Sequence, residues 1–120
     1  MGSGGVEVVI GVRRDPSFGP IVMVGMGGIL IEVLKDVVFH RAPVTEAEAS
    51  RMLDKLQGKA VLDGVRGAAP VDREALCQMI SAVSQFGTAA EEWLEELDLN
   101  PVLAGPQGAI AVDCLLISDR

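Results

Sequence analysis

The run Glu96-Leu97-Asp98-Leu99-Asn100 alternates oxygen-bearing and apolar side chains. In an extended chain successive side chains point to opposite faces, so Glu96, Asp98 and Asn100 share one face while Leu97 and Leu99 share the other. Asp113 follows among Ile110, Val112, Leu115, Leu116 and Ile117, a lone carboxylate in an apolar setting. If the two segments are adjoining strands, two carboxylates and an amide oxygen come together. That is the donor set of a hard divalent cation, and Mg²⁺ commonly takes one or two carboxylates plus phosphate oxygens. The same spacing also fits a solvated polar face on an edge strand, with Asp113 a carboxylate at a turn end.

Other chemistries find little support. The chain has one histidine and two cysteines, Cys77 and Cys114, without C-x-x-C spacing, so no Ser/His/Asp set, Cys/His pair or H-E-x-x-H motif is assembled. No side chain stands out as a catalytic group. Gly25-Met26-Gly27-Gly28 is not read as a dinucleotide loop, because the following run is strand-like and offers no helix N-terminus to a pyrophosphate. The thiols are read as reduced and mostly buried, in a cytoplasmic protein without a signal peptide.

The elements that must position the acidic strand are legible from periodicity. Residues 6–12 and 21–24 are β-branched and aliphatic, and the turn cluster Asp15-Pro16-Ser17-Phe18-Gly19-Pro20 between them makes a hairpin. Residues 29–39 read as a partly exposed strand pair. Thr45 and Glu48 have capping-box spacing, and Ala49, Met52, Leu53 and Leu56 form a helical stripe expected to end at Gly58. Asp72 is the expected N-cap of a second helix, with Leu76, Met79, Ile80 and Val83 on its apolar face and its end by Gly87. Thr88 and Glu91 repeat the capping spacing, which predicts a short turn bringing Trp93 onto the core. Two strands, residues 96–103 and 109–117, close the chain around Gly105-Pro106-Gln107-Gly108. The expected class is α+β: an antiparallel sheet with two main helices packed on one face.

Composition bounds the rest. With 120 residues, 49% of them hydrophobic and 22% charged, the chain has the size and balance of one folded domain. Residues 1–5 form a glycine-rich leader or linker, and residues 6–120 the domain. Ten Lys and Arg against seventeen Asp and Glu give a net charge of −7, and only four aromatic residues (three Phe, one Trp) are present. Both features argue against nucleic acid as a partner, since phosphates are repelled and bases find almost no stacking surface. The apolar runs are too short to span a bilayer, so no membrane role is expected.

Taken together, the motifs resemble a family. Asp98-Leu99-Asn100-Pro101 with Asp113 thirteen residues after Asn100 is similar to the acidic-x-Asn-Pro and downstream Asp pattern of the ATP-grasp fold, as in ADP-forming acyl-CoA synthetases and succinyl-CoA synthetase β chains. The stretch from Val6 to Pro20, ending Arg13-Arg14-Asp15-Pro16-Ser17-Phe18-Gly19-Pro20, and Gly25-Met26-Gly27-Gly28-Ile29-Leu30-Ile31-Glu32 resemble the corresponding stretches of the NDP-forming acyl-CoA synthetases. Gly64-Val65-Arg66-Gly67 before Pro70 resembles the family loop between the two helices.

The resemblance implies the C-terminal subdomain of an ATP-grasp domain, a fragment of a larger protein. Asp98, Asn100 and Asp113 match the family's Mg²⁺-binding positions, which serve ATP or ADP in phosphoryl transfer. Glu96 is an outer-shell candidate, Arg66 a phosphate-contact candidate, and Glu32 matches a family glutamate of unassigned role. The other jaw of the nucleotide site, the histidine that relays phosphate, and the CoA-binding and ligase domains would belong to the rest of the parent enzyme, so the isolated chain should be inactive. His40-Arg41 stand where the family has Arg-Leu, shifting the cation by one residue and hence to the opposite face. Cys114-Leu115 stand where relatives often have Ala-Arg, removing a positive charge near the metal positions. A non-catalytic regulatory or assembly module, for instance beside an acyltransferase domain, and a generic oligomerisation domain are the competing readings. The exposed jaw face predicts self-association as a homodimer.

Overall fold

The computed structural model describes residues 5–27, 35–64, 67 and 69–119. Six strands form one antiparallel sheet: β1 (Val6–Asp15), β2 (Gly19–Met26), β3 (Val37–Arg41), β4 (Leu94–Gly105), β5 (Gly108–Ala111) and β6 (Cys114–Ser118). The order is β3-β2-β1-β4, with β5 and β6 both pairing β4 along its outer side. Helices α1 (Glu46–Asp54), α2 (Lys59–Leu62) and α3 (Arg73–Ala89) lie between β3 and β4 in the chain. The α+β layout expected from periodicity is the one observed.

The β1–β2 hairpin turns on Asp15, whose carboxylate accepts from the Ser17 and Phe18 amides at 2.8 and 2.9 Å. Val8, Ile10 and Val12 of β1 and Val22 and Val24 of β2 are buried in one cluster with Leu53, Leu76 and Ile80. That cluster fills the space between the sheet and the helices. Arg13, Met23 and Phe39 alternate out of phase with it and occupy the other face, helix-free among the described residues. Of the strand pair expected over residues 29–39, β3 takes the last part, and residues 28–34 lie outside the described residues.

Thr45 caps α1 as expected: its hydroxyl accepts from the Glu48 amide, and the Glu48 carboxylate accepts from the Thr45 amide at 2.9 Å. The helix ends at Asp54, earlier than Gly58, and Leu56 is buried beyond it. Past this end Asp36, a buried carboxylate, takes the amides of Gln57 and Gly58 at 2.7 Å each, immediately before the single turn of α2. Asp72 caps α3 through the Ala75 amide at 3.0 Å. This helix runs past Gly87 to Ala89, and Thr88 caps nothing, its hydroxyl donating to the Ser84 carbonyl instead. Gly87 is inside the helix and faces β1 at close range, where only a residue without a side chain fits: a Cβ there would stand 2.4 Å from a Val12 methyl. Trp93 sits in the following turn, edge-on to Phe86 at 6.0 Å. Two buried serines anchor the entry to α1, Ser81 donating to the Val44 carbonyl and Ser84 accepting from its amide. Among the described residues no buried side-chain nitrogen or oxygen lacks a partner, and no helix is long and apolar enough to cross a membrane.

Candidate functional site

The acidic strand β4 is pinned between β1 and the β5–β6 arm. On the β1 side Leu97 pairs Val12, Asp98 pairs Gly11 and Leu99 pairs Ile10. The register then shifts, so that Asn100 and Pro101 together oppose Val9 before Val102 meets Val8. This is a β-bulge, and proline suits it because no amide hydrogen is needed there. The bulge changes the parity of the strand. Leu97 and Leu99 pack against the core before it, and Val102 and Ala104 enter the core after it.

On the other side β5 and β6 behave as one interrupted arm. Ala111 pairs Val102 and Cys114 pairs Leu99. Between them the Val112 amide donates to the Pro101 carbonyl at 2.9 Å and the Asn100 amide to the Asp113 carbonyl at 3.2 Å. The single strand expected over residues 109–117 is therefore broken at Val112-Asp113, opposite the bulge, without losing register. Asp113 stands directly across from Asn100, and Asp98 is two residues along the same helix-free face. The sheet thus brings together the three positions singled out in the sequence.

Their surroundings differ from expectation in two respects. Asp113 is exposed, as are the apolar residues around it, and its carboxylate accepts from the Cys114 amide at 2.8 Å. Cys114 is exposed as well, whereas Cys77 is buried and its thiol pKa is raised by that burial. The Asp98 carboxyl is partly buried, and desolvation, followed by the charge of Glu96, raises its pKa. It lies over Gly11, where an added Cβ would stand 3.2 Å from Oδ1 and 3.1 Å from the Leu97 carbonyl. Gly11 is the position that sequence reasoning missed, and only its pairing across to Asp98 reveals its part.

A hard cation fits this donor set. Asp98 and Asp113 offer carboxylate oxygens, Asn100 an amide oxygen, and Gly11 leaves room for the Asp98 carboxylate. A positive charge would relieve the ionisation penalty that burial imposes on Asp98. Among the described residues no three His, Cys, Asp or Glu side chains cluster as a metal site, so two carboxylates and an amide would leave coordination positions for water or phosphate. Glu96 shares the face, opposite Arg13 on β1 and Ile117 on β6. His40 pairs Val22 on the helix-covered side, its Nδ1 2.8 Å from the Arg41 carbonyl, and Arg41 falls on the helix-free face with Phe39. The Arg66 and Glu32 candidates lie outside the described residues.

Comparison with known proteins gives the family of this fold. Residues 1–117 match the ATP-grasp domain family. The chain is 44% identical over 113 residues to the β subunit of acetate–CoA ligase [ADP-forming] I of Pyrococcus furiosus, covering 94% of this chain and 48% of that one. It is 46% identical over 108 residues to 4-hydroxybutyrate–CoA ligase [ADP-forming] of Nitrosopumilus maritimus, covering 90% of this chain and 15% of that protein. The dinucleotide-forming acetyl-coenzyme A synthetase 1 of Ca. Korarchaeum cryptofilum, solved with coenzyme A and Mg-AMPPCP, superposes with a TM-score of 0.91 at 42% identity over 98% of this chain and 55% of that one. The chain spans about half the length of the β subunit it matches. An antiparallel sheet with two main helices on one face, together with these likenesses, leads to one conclusion: the chain belongs to the ATP-grasp domain family, in the branch found in ADP-forming acyl-CoA synthetases.

Proposed function

We propose that this chain is the C-terminal, metal-holding half of an ATP-grasp nucleotide site, belonging to an ADP-forming acyl-CoA synthetase. The observation that supports it most is the register of β4: Asp113 opposite Asn100, with Asp98 on the same face over Gly11. Asp98, Asn100 and Asp113 would hold Mg²⁺, which when bound supplies positive charge against the phosphoryl oxygens of ATP or ADP. The chain's own part is positional. The bulge aims Asn100, the β5–β6 arm presents Asp113, and the helix layer keeps the sheet rigid beneath them.

The remainder of the work belongs to the rest of the parent enzyme. A second jaw closes over the nucleotide, a histidine located elsewhere relays the phosphoryl group, and other domains handle CoA and the acyl substrate. Alone, the chain is inactive as a ligase. The thiols stay reduced, as in a cytoplasmic enzyme. The apolar side chains of β5 and β6 meet the parent's other parts in the intact protein, and meet a second copy when the chain stands alone.

A backbone NMR titration with Mg²⁺-ADP tests the reading. Shifts confined to residues 96–100 and 113–114, and abolished by Asp98→Ala in a folded variant, are expected. Shifts spread elsewhere, or unchanged by the substitution, would overturn it.

A further inference from the structure

We infer that Arg13 is the residue through which this chain contacts a metal-bound polyphosphate, from across a hollow beside Asp98. The inference rests on the nucleotide-site reading above and supplies the cation that reading lacks. It begins with the sheet register. Across the helix-free face, Phe39, Met23, Gly11, Asp98 and Leu115 form one row, and Arg41, Ile21, Arg13, Glu96 and Ile117 form the next. Arg13 is therefore one row from Asp98, on the strand that carries Gly11.

Between the rows the surface is hollowed. A depression of about 70 Å³ is lined by Gly11, Arg13, Ile21, Met23, Glu96 and Asp98, among others. Arg13 and Glu96 also line a larger open cleft of about 580 Å³, with Arg14, Glu91 and Glu95. The absence of a side chain at Gly11 keeps the floor of the smaller hollow low, with Asp98, Glu96 and Arg13 as its charged walls.

The cations near this face are then separated by what they already hold. Arg14 donates to the Glu91 carbonyl at 2.7 Å and pairs with Asp119. The Arg41 guanidinium lies over the Phe18 ring, 5.5 Å from its centre. Arg13 is exposed and, among the described residues, makes no side-chain hydrogen bond or ion pair, although Glu96 is its direct cross-strand neighbour. A planar guanidinium with its donors free is suited to two phosphate oxygens at once.

The charge around it dictates the kind of anion. Glu91, Glu95, Glu96 and Asp98 surround Arg13 with carboxylates, so a free phosphate is repelled. A metal at Asp98 reverses that balance, and a polyphosphate can then touch metal and arginine together. Metal and anion should bind with positive, reciprocal coupling.

The 120-residue chain is titrated with pyrophosphate, with and without Mg²⁺, following the backbone amides and the arginine Nε–H resonances. The expected result is an Mg²⁺-dependent shift of the Arg13 Nε–H and of residues 11–13. Arg13→Gln should weaken pyrophosphate about 10-fold, as expected for loss of a charge-assisted contact. Arg13→Lys should recover part of that loss, and Glu96→Gln should tighten binding. If Arg13 served only as a strand neighbour of Glu96, none of these variants would move pyrophosphate affinity, and that result overturns the inference. Mg²⁺ alone decides between failures. If it shifts residues 98, 100 and 113 while Arg13→Gln binds pyrophosphate like the parent, the arginine is wrong and the metal reading stands. If Mg²⁺ leaves those residues unmoved and pyrophosphate still needs Arg13, the metal reading and the coupling fall and the phosphate contact stands.

Discussion

Asp98 is held where its charge is least welcome. Burial and the neighbouring Glu96 raise its pKa, so the folded chain resists its ionisation more than the unfolded chain does. Such a group costs nothing in acid, where both states are protonated. It removes stability as pH rises from the ordinary carboxylate range through the raised folded value. Asp98→Asn should therefore melt at a higher temperature than the parent at neutral pH, with the gain gone near about pH 3. The parent should be stabilised by millimolar Mg²⁺ and the variant should not, because a ligand of the folded state alone raises its stability. Thermal melts at both pH values, with and without Mg²⁺, check the pair. A variant that is less stable at neutral pH, or still stabilised by Mg²⁺, contradicts this account. Gly11→Ala tests the space beneath the carboxylate: the new methyl crowds Oδ1 at 3.2 Å, and Mg²⁺ affinity should fall roughly 10-fold, as when a group that orients a metal ligand is altered. Calorimetric titration reads that loss, and unchanged affinity would show that Gly11 does not position Asp98.

The elements show which parts of this arrangement local sequence encodes. The Thr45–Glu48 capping box, the Asp72 cap, the Asp15 turn and the alternation of residues 96–100 are written within a few residues and appear where periodicity placed them, whereas the Thr88–Glu91 spacing caps nothing. Thr45→Ala should accordingly cost about 1 kcal/mol in denaturant unfolding. The features that sequence did not yield are all long-range. Asp36 holds the amides of Gln57 and Gly58 beyond the end of α1, and Val12 leaves no room for a side chain at Gly87. The bulge at Asn100-Pro101 becomes visible only against β1 and the β5–β6 arm. Reading Gly87 as a helix stop followed the ordinary habit of glycine, and tertiary packing overrides it. Gly87→Ala tests that explanation. Helix propensity alone favours alanine, yet the methyl would collide with Val12, so a loss of about 1–3 kcal/mol is expected. Recovery on adding Val12→Ala would identify the collision as the cause, whereas a stabilised single variant would contradict it.

At the scale of the whole molecule, the described helices cover one face of the sheet, and the outer strand β6 is exposed. Leu115, Leu116 and Ile117 are 54%, 46% and 38% exposed along an outer strand with no described element beyond it. An apolar edge of this kind pairs readily with another chain. Sedimentation at rising concentration should show dimers of the 120-residue chain, weakened by Leu116→Lys. A monomer at every concentration would contradict this pairing of two copies. The placement of Asp98, Asn100 and Asp113 on adjoining strands was legible, because strand alternation and a hairpin are local rules. Its floor at Gly11 was not, because that rests on which strand lies beside β4. The central claim, that Asp98, Asn100 and Asp113 form one metal position, is met most directly by Mn²⁺ in place of Mg²⁺. Paramagnetic broadening at sub-stoichiometric Mn²⁺ should centre on the Asn100 side-chain amide and the amides of Asp98 and Cys114. Broadening centred on another acidic cluster, such as Glu91 and Glu95, with those three signals sharp, would contradict the account.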